Sequence, residues 1–190
     1  TDSGNIMLIE GVNPPAPLTF GGNADRVAIS NDGQKIAFTT FDNVTGDSEL
    51  RVVNADGSGE IVLLDQAQMD ALYPLDGALH HLIYRMGFQR CTQDLLINTR
   101  STYEGPGLAP HYNLISIDVN TSLQTVLLAP TMGGDFYLSP DGNKIVISHP
   151  DSIHIVNSDG SNYLASLITF PSIITYSEFQ WSPSVVWAND

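Results

Sequence analysis

The sequence predicts an all-β protein, a β-propeller of four-stranded antiparallel blades. A turn phrase recurs along the chain, strongest at Ile29-Ser30-Asn31-Asp32-Gly33 and Leu138-Ser139-Pro140-Asp141-Gly142, and weaker at 73–77 and 181–183. Short β-branched segments bounded by turn residues follow the strong copies, in repeats of about 44 residues, as is typical of propeller blades. No long stretch has the 3.6-residue apolar period of an amphipathic helix.

The Asp-Gly pairs predict where the hairpins close. Asp caps a turn through its side chain and Gly accepts a positive φ, so both residue types suit a tight turn. Asp32-Gly33 and Asp141-Gly142 are expected between first and second strands. A second phrase, Asn-x-Asp-Gly-Ser at 54–58 and 157–161, is expected between third and fourth strands. Both kinds of turn then lie at one end of the blade, which we call the Asp-Gly end.

The predicted strands fall into four columns. First strands are 26–29, 70–73, 135–138 and 178–181, and second strands are 36–38, 82–84, 145–147 and 185–187. Third strands are 6–9, 50–53, 114–117 and 153–156, and fourth strands are 17–19, 61–64, 125–128 and 164–167.

These columns divide a single propeller region, 1–190, into blades. They give half-blade 1–20, blades 21–65, 66–130 and 131–170, and half-blade 171–190. Two architectures remain open: a four-bladed ring closed by the two half-blades, or an arc of a larger propeller. In the arc, further sequence or another copy would cover the open edges.

Composition limits the classes of partner. Seven Lys and Arg residues stand against 21 Asp and Glu, for a formal net charge of −14. Such a field repels a phosphate backbone, so nucleic-acid binding is not expected, and no apolar run is long enough for membrane insertion. Charged residues make up only 15% of the chain, which suits a secreted, periplasmic or cell-surface protein.

Two phrases carry a resemblance to a known family. Residues 139–145 (Ser-Pro-Asp-Gly-Asn-Lys-Ile) and 53–59 resemble the repeats of TolB-like propellers, which also occur in propeller domains of prolyl-oligopeptidase-type peptidases. The resemblance covers residues 6–187. It implies a propeller that acts as a cell-envelope interaction scaffold, or one that accompanies a separate α/β-hydrolase domain. This chain has no Gly-x-Ser-x-Gly motif, so no catalytic residue is expected in it.

The second blade is longer than the others and offers a candidate binding loop. Asp32 and Asp76 are 44 positions apart, whereas Asp76 and Asp141 are 65 apart. We interpret 87–112 as an insert between second and third strands, opposite the Asp-Gly end. Its basic and aromatic side chains are of the kind that dominates binding hot spots. The predicted partner-binding residues are Arg85, Phe88, Arg90, Arg100, Tyr103 and Tyr112.

A second candidate site follows from aligning the first strands. One column holds Arg26, Asp70, Asp135 and Glu178, which should ring the mouth of a central channel. Three carboxylates there would suit a cation or a basic peptide. The alternative, which we favour, is a hydrated channel in which Arg26 pairs with its acidic neighbours.

No metal site is predicted, and no cofactor is expected. The one weak exception is Ca²⁺, because alternate oxygen side chains at 54–60 superficially resemble calcium ligands. A glycine-containing hairpin turn accounts for the same residues.

The sequence therefore favours a non-catalytic protein-interaction or structural scaffold. Its partner would be another protein or further copies of itself, joined through open blade edges. The alternative is a substrate-gating propeller domain of a larger serine peptidase.

Overall fold

The structure, a computed structural model, describes residues 4–9, 14–90, 92–104, 112–174 and 180–188. A two-stranded sheet comes first, formed by β1 (Met7–Leu8) and β2 (Ala16–Pro17). The first blade comprises β3 (Ala24–Ile29), β4 (Lys35–Phe41), β5 (Ser48–Asn54) and β6 (Ile61–Leu64). A short helix, α1 (Gln66–Asp70), links it to the second blade.

The second blade comprises β7 (His80–Phe88), β8 (Asp94–Thr102), β9 (Tyr112–Asp118) and β10 (Gln124–Gly133). The third comprises β11 (Asp135–Leu138), β12 (Lys144–Ser148), β13 (Ser152–Asn157) and β14 (Leu164–Thr169). A second two-stranded sheet follows, formed by β15 (Ile173–Ile174) and β16 (Gln180–Trp181).

Each blade is an up-and-down meander in which every strand pairs antiparallel with the next. These four-stranded antiparallel blades confirm the predicted fold class. Strand β3 lies against β7, so the first strands of neighbouring blades converge, as inner strands of a propeller do. Within the described residues the half-blades β1–β2 and β15–β16 form separate sheets, and strand pairing between them does not close a ring.

The predicted turn chemistry is confirmed in atomic detail. In the first blade the Ser30 hydroxyl donates to Asp32 Oδ1 over 2.7 Å, and Gly33 has a φ of +70°. Ser139 and Asp141 repeat the same contact at 2.6 Å in the third blade. The repeated phrase therefore encodes the same hydrogen-bonded turn twice.

Apolar side chains form cores between successive blades. One cluster joins the first and second blades and includes Leu50, Leu64, Met69 and Ile97. Another joins the second and third blades, and a smaller one packs the β1–β2 half-blade on the first blade. These clusters bury apolar side chains of adjacent blades against one another, so apolar packing holds the blades face to face.

The second blade differs from the sequence interpretation. Residues 70–73 were expected to form its first strand, but α1 ends at Asp70 and a turn follows. The first strand is β7, which was expected to be second. Strand β8 lies inside 87–112, so this range is not an insert. The extra length lies instead in α1 and the connection before β7.

The last half-blade also differs. Residues 185–187 were expected to form a second strand, but no strand is present at 182–188. The indole of Trp187 instead donates to the carbonyl of Tyr137 over 3.1 Å. This segment therefore packs along the third blade without joining a sheet.

Candidate protein-binding surface

The register of the hairpins realigns the inner-strand column. Phe88 pairs with Leu95 next to the turn, as Ile29 pairs with Ile36 and Leu138 with Ile145. The residues three positions before Phe88, Ile29 and Leu138 are Arg85, Arg26 and Asp135. The column therefore holds two guanidinium groups and one carboxylate among the described residues, and Arg85 occupies the place expected for Asp70.

Both arginines lie at a β-bulge of the first strand. The ladder shifts register between Ala24 and Val27 in β3 and between Ile83 and Arg85 in β7. A side-chain oxygen of the second strand accepts the freed amide in each case. Arg26 N–H donates to Thr39 Oγ1 over 3.1 Å, and Arg85 N–H donates to Asn98 Oδ1 over 2.7 Å. The backbones of the two arginines are thus held by equivalent hydrogen bonds to the second strand.

The guanidinium groups of three arginines lie over tyrosine rings. The guanidinium carbon of Arg85 lies 4.4 Å from the centroid of Tyr137. Those of Arg26 and Arg100 lie 5.5 and 5.7 Å from the centroid of Tyr84. At these distances a cation is attracted by the ring face, which also fixes the orientation of the planar fork.

The charges of this cluster are only partly compensated. Arg26 pairs with Asp25 at 3.5 Å, and both side chains are exposed. Neither Arg85 nor Arg100 forms an ion pair with a carboxylate within the described residues. We call Arg26, Tyr84, Arg85, Arg100, Asp135 and Tyr137 the inner-strand surface.

Asp135 is the least satisfied member of this surface. Its Oδ1 atom is buried and has no hydrogen-bond partner in the described part of the chain. Burial raises the pKa of this carboxyl, and the nearby charge of Arg85 offsets only part of that effect. The carboxylate is therefore stabilised less than it would be in water.

Asp70 has a structural role at the end of α1. It accepts hydrogen bonds from the amide of His81 over 2.7 Å and from Gln66 Nε2 over 2.9 Å, and its other oxygen lies 2.9 Å from His80 Nδ1. Burial opposes ionisation, but the hydrogen bonds outweigh it and the pKa of Asp70 is lowered. Asp70 therefore anchors the helix to β7. Glu178, the fourth residue expected in the column, lies outside the described residues.

The residues predicted to form one binding loop are distributed along a blade. Phe88 is 5% exposed and belongs to the core between the first two blades. Arg90 is exposed in the β7–β8 turn at the Asp-Gly end, whereas Arg100 and Tyr103 lie at the far end of β8. Tyr112 begins β9. Strand β8 separates these groups by its whole length, so they do not form a single site.

A cavity opens beside the inner-strand surface, next to Arg26 and Arg100. It has a volume of about 450 Å³ and is lined by Gly4, Gly22, Asn23, Ala24, Asp25, Phe41, Asn43 and Leu82. Sequence reasoning missed this cavity because it assigned β7 to the wrong position in the blade. With the β7–β8 hairpin recognised, Arg85 would have aligned with Arg26.

The turn residues considered for Ca²⁺ bond to one another. Ser58 donates to Asp56 Oδ1 through both its amide, over 2.9 Å, and its hydroxyl, over 2.6 Å. Asn54 Nδ2 donates to the Ser58 hydroxyl over 3.1 Å, and Glu60 pairs with Arg51 at 2.6 Å. The described residues hold no group of three or more His, Cys, Asp or Glu side chains suited to a metal ion.

The fold resembles solved propellers. A putative TolB from Agrobacterium tumefaciens superposes with a TM-score of 0.56 and 17% identity, covering 87% of this chain and 55% of that one. An acylaminoacyl peptidase from Pyrococcus horikoshii gives 0.53 and 16%, covering 86% and 28%. The propeller domain of the Trilobed protease from Pyrococcus furiosus, described as having an open velcro topology, gives 0.50 and 16%, covering 80% and 46%.

These likenesses show the fold that this chain shares with TolB-like and peptidase propellers. The chain spans about half or less of each of the three solved structures. No family model and no curated protein matches the sequence. No helix in the described part of the chain is long and apolar enough to cross a bilayer.

Proposed function

We propose that this chain is a non-catalytic propeller segment that binds a protein partner on its inner-strand surface. The observation that supports this most strongly is the placement of Arg85 and Arg100 over tyrosine rings without an ion-pair partner among the described carboxylates. A guanidinium oriented in this way keeps its donors available for a ligand. Arginine and tyrosine are also residue types that concentrate binding energy at protein interfaces.

The scaffold role is supported by how rigidly the blades hold these side chains. Arg85 and Tyr137 lie on neighbouring inner strands, and the core between their blades contains fully buried Leu96, Leu114 and Ile147. Side chains mounted on packed strands lose little entropy on binding, so a preformed surface binds more tightly than a flexible loop.

The serine–histidine contacts support a non-catalytic role. Ser152 Oγ lies 2.9 Å from His154 Nε2, but the Ser166 amide donates to His154 Nδ1, so an aspartate cannot orient that nitrogen as in a catalytic triad. Ser101 Oγ lies 3.1 Å from His81 Nδ1, and His81 is fully buried. Neither pair is open to a substrate.

The proposal places the protein at the cell envelope or outside the cell. Its support is compositional: charged residues make up 15% of the sequence. Fractionation of the native cells with an antibody against this chain tests the location, and recovery in the cytoplasmic fraction would contradict it.

The binding role can be tested by affinity capture with matched charge variants. Purified wild-type chain, Arg85→Ala plus Arg100→Ala, and Arg90→Ala are each incubated with the native envelope and secreted fractions. Arg90 is the control because it is exposed at the opposite end of the blade. A partner captured by wild type and Arg90→Ala, and lost with the double variant, is the expected result. Equal capture by all three would reject the inner-strand surface.

A substrate-gating propeller of a serine peptidase is the second candidate. It is favoured by the likeness to the two Pyrococcus peptidase propellers. A fluorophosphonate probe applied to the native protein, isolated from its source, distinguishes the two. Labelling of a polypeptide that contains this sequence would support the peptidase, whereas labelling of none would support the scaffold.

Self-assembly is a structural version of the same scaffold. Its support is that the half-blades β1–β2 and β15–β16 form separate sheets within the described residues, and unpaired strand edges are templates for pairing. Light scattering over a range of concentrations tests it. A mass of one chain at every concentration would contradict self-assembly.

A further inference from the structure

The cavity beside Tyr84 joins an apolar lining to polar groups. Phe41, Leu82 and Ala24 contribute hydrocarbon surface, and Asn23 and Asn43 contribute amides. A volume of about 450 Å³ falls in the range of small-ligand pockets. It can therefore accept one or two side chains of a peptide.

Arg100 brings a positive charge next to this cavity without an ion-pair partner among the described carboxylates. Arg100 is the direct cross-strand partner of Leu82, so both side chains leave the sheet on the same face. Arg26 follows Asp25, which lines the cavity, but the ion pair between them at 3.5 Å neutralises that charge. Arg100 forms no ion pair with a described carboxylate.

Tyr84 fixes the direction in which Arg100 presents its charge. The Arg100 guanidinium carbon lies 5.7 Å from the Tyr84 centroid, and Arg26 meets the same ring at 5.5 Å. A planar guanidinium held against a ring can donate two parallel hydrogen bonds to the two oxygens of a carboxylate. The charge that this cavity can use therefore comes from Arg100 on β8 and not from the first-strand column.

We propose that this cavity binds a peptide through a carboxylate, with Arg100 pairing the carboxylate and an adjoining apolar side chain entering between Phe41 and Leu82. This inference rests on the proposed function, since it specifies what the protein partner presents. The carboxylate can be a chain terminus or an acidic side chain. The rest of the peptide is neutral or basic, because the chain as a whole carries −14 and repels further anionic groups.

Three acetylated peptides separate the sources of the carboxylate. The first is Lys-Ala-Leu-Phe with a free C-terminal acid, the second is the same peptide as an amide, and the third is Lys-Ala-Glu-Phe amide. Binding to the full chain is measured by isothermal titration calorimetry at low salt. Tighter binding of the first than the second supports a terminal carboxylate, and tighter binding of the third supports a side-chain carboxylate. Equal affinity of all three, or binding of none, overturns the proposal.

Charge variants identify the residue responsible. Arg100→Ala is expected to weaken the preferred peptide about tenfold, because one charge-assisted hydrogen-bonded pair is lost. Arg100→Lys, which keeps the charge but not the fork, should fall between the two and guards against a folding defect. Arg90→Ala removes the same charge at the Asp-Gly end and should bind as wild type does. Equal weakening in Arg90→Ala and Arg100→Ala would overturn the proposal.

The peptide experiment tests the carboxylate inference, and the capture experiment tests the proposed function separately. If the peptides do not bind but a protein is still captured through Arg85 and Arg100, the proposed function stands and the carboxylate inference fails. If capture is also unaffected by those substitutions, both fail.

Discussion

The side-chain amide of Gln89 donates a hydrogen bond of 2.8 Å to the backbone carbonyl of Ser158, which joins the second blade to the third. The carbonyl of Gln89 accepts from Asn31 Nδ2 of the first blade, also at 2.8 Å. Gln89 is only 7% exposed, so water does not readily replace either bond. One residue therefore links three consecutive blades at the Asp-Gly end.

Gln89→Ala should destabilise the protein by about 1–3 kcal/mol, the usual effect of leaving a buried hydrogen-bonding group unsatisfied. The substitution removes the donor to Ser158 and the acceptor for Thr92, whose hydroxyl lies 3.0 Å from Gln89 Oε1. Urea unfolding followed by circular dichroism measures the change. Gln93→Ala is the matched control, because Gln93 is exposed and its side-chain amide donates to Asp32. Similar losses in both variants would show that Gln89 is not a special link.

Phe88→Ala tests the reassignment of the second blade. Phe88 packs in the core between the first two blades, and truncating a buried phenylalanine costs about 3–5 kcal/mol. Tyr103→Ala, at an exposed position on the same blade, should change the free energy of unfolding by less than about 0.5 kcal/mol. The same unfolding assay measures both. A small effect of Phe88→Ala would restore the surface-loop interpretation of 87–112.

The first and third blades were predictable because local chemistry marks their turns. At Asp32 and Asp141 a Ser hydroxyl, an Asp carboxylate and a Gly with positive φ combine into one hydrogen-bonded loop. These interactions span at most five residues, so the sequence alone contains them. The strands then follow from the alternation of residues between successive turns.

The second blade was misread because its hairpin lacks that chemistry. The turn between Phe88 and Asp94 contains no Asp-Gly pair, while the phrase at 73–77 contains one without closing a hairpin. One overlooked signal was the capping box of α1, in which Asp65 accepts from the amide of Gln68 and Gln68 reaches back to the amide of Asp65. The inner-strand surface was also hidden, because it depends on contacts between blades such as Arg85 with Tyr137.

Asp135→Asn should stabilise the protein at neutral pH. Burial raises the pKa of Asp135, so the folded state binds a proton on this carboxyl more tightly than the unfolded state does. The stability gained from that proton is fully present below the unfolded pKa of about 4, and is lost as pH rises through the folded pKa. The neutral amide avoids that penalty. Thermal unfolding at pH 7 should therefore give a higher Tm for Asp135→Asn than for wild type.

The difference between Asp135→Asn and wild type should shrink toward acidic pH, where Asp135 is itself protonated. Asp25→Asn, at an exposed carboxylate, serves as the control and should change Tm little at any pH. A lower Tm for Asp135→Asn at pH 7 would mean that the nearby charge of Arg85 outweighs the burial of the carboxylate.

His154 should make the third blade sensitive to acid. Burial lowers its pKa, the charge of His149 lowers it further, and Asp151 offsets part of the effect. The Ser166 amide donates to His154 Nδ1 over 3.1 Å, so protonation there would break a hydrogen bond. Because the unfolded chain binds the proton near pH 6.5 and the folded chain resists it, the free energy of unfolding should fall as pH drops below about 6.5.

His154→Asn keeps an acceptor near Ser166 but cannot be protonated, so its free energy of unfolding should depend less on pH than that of wild type. Urea unfolding at several values between about pH 5 and pH 8 measures the two slopes around the reference pKa of histidine. Tyr163→Phe removes the hydroxyl that lies 2.9 Å from His154 Nδ1 while keeping the titrating ring, and it should retain the wild-type slope. Parallel profiles for wild type and His154→Asn would show that His154 is not the acid-sensitive group.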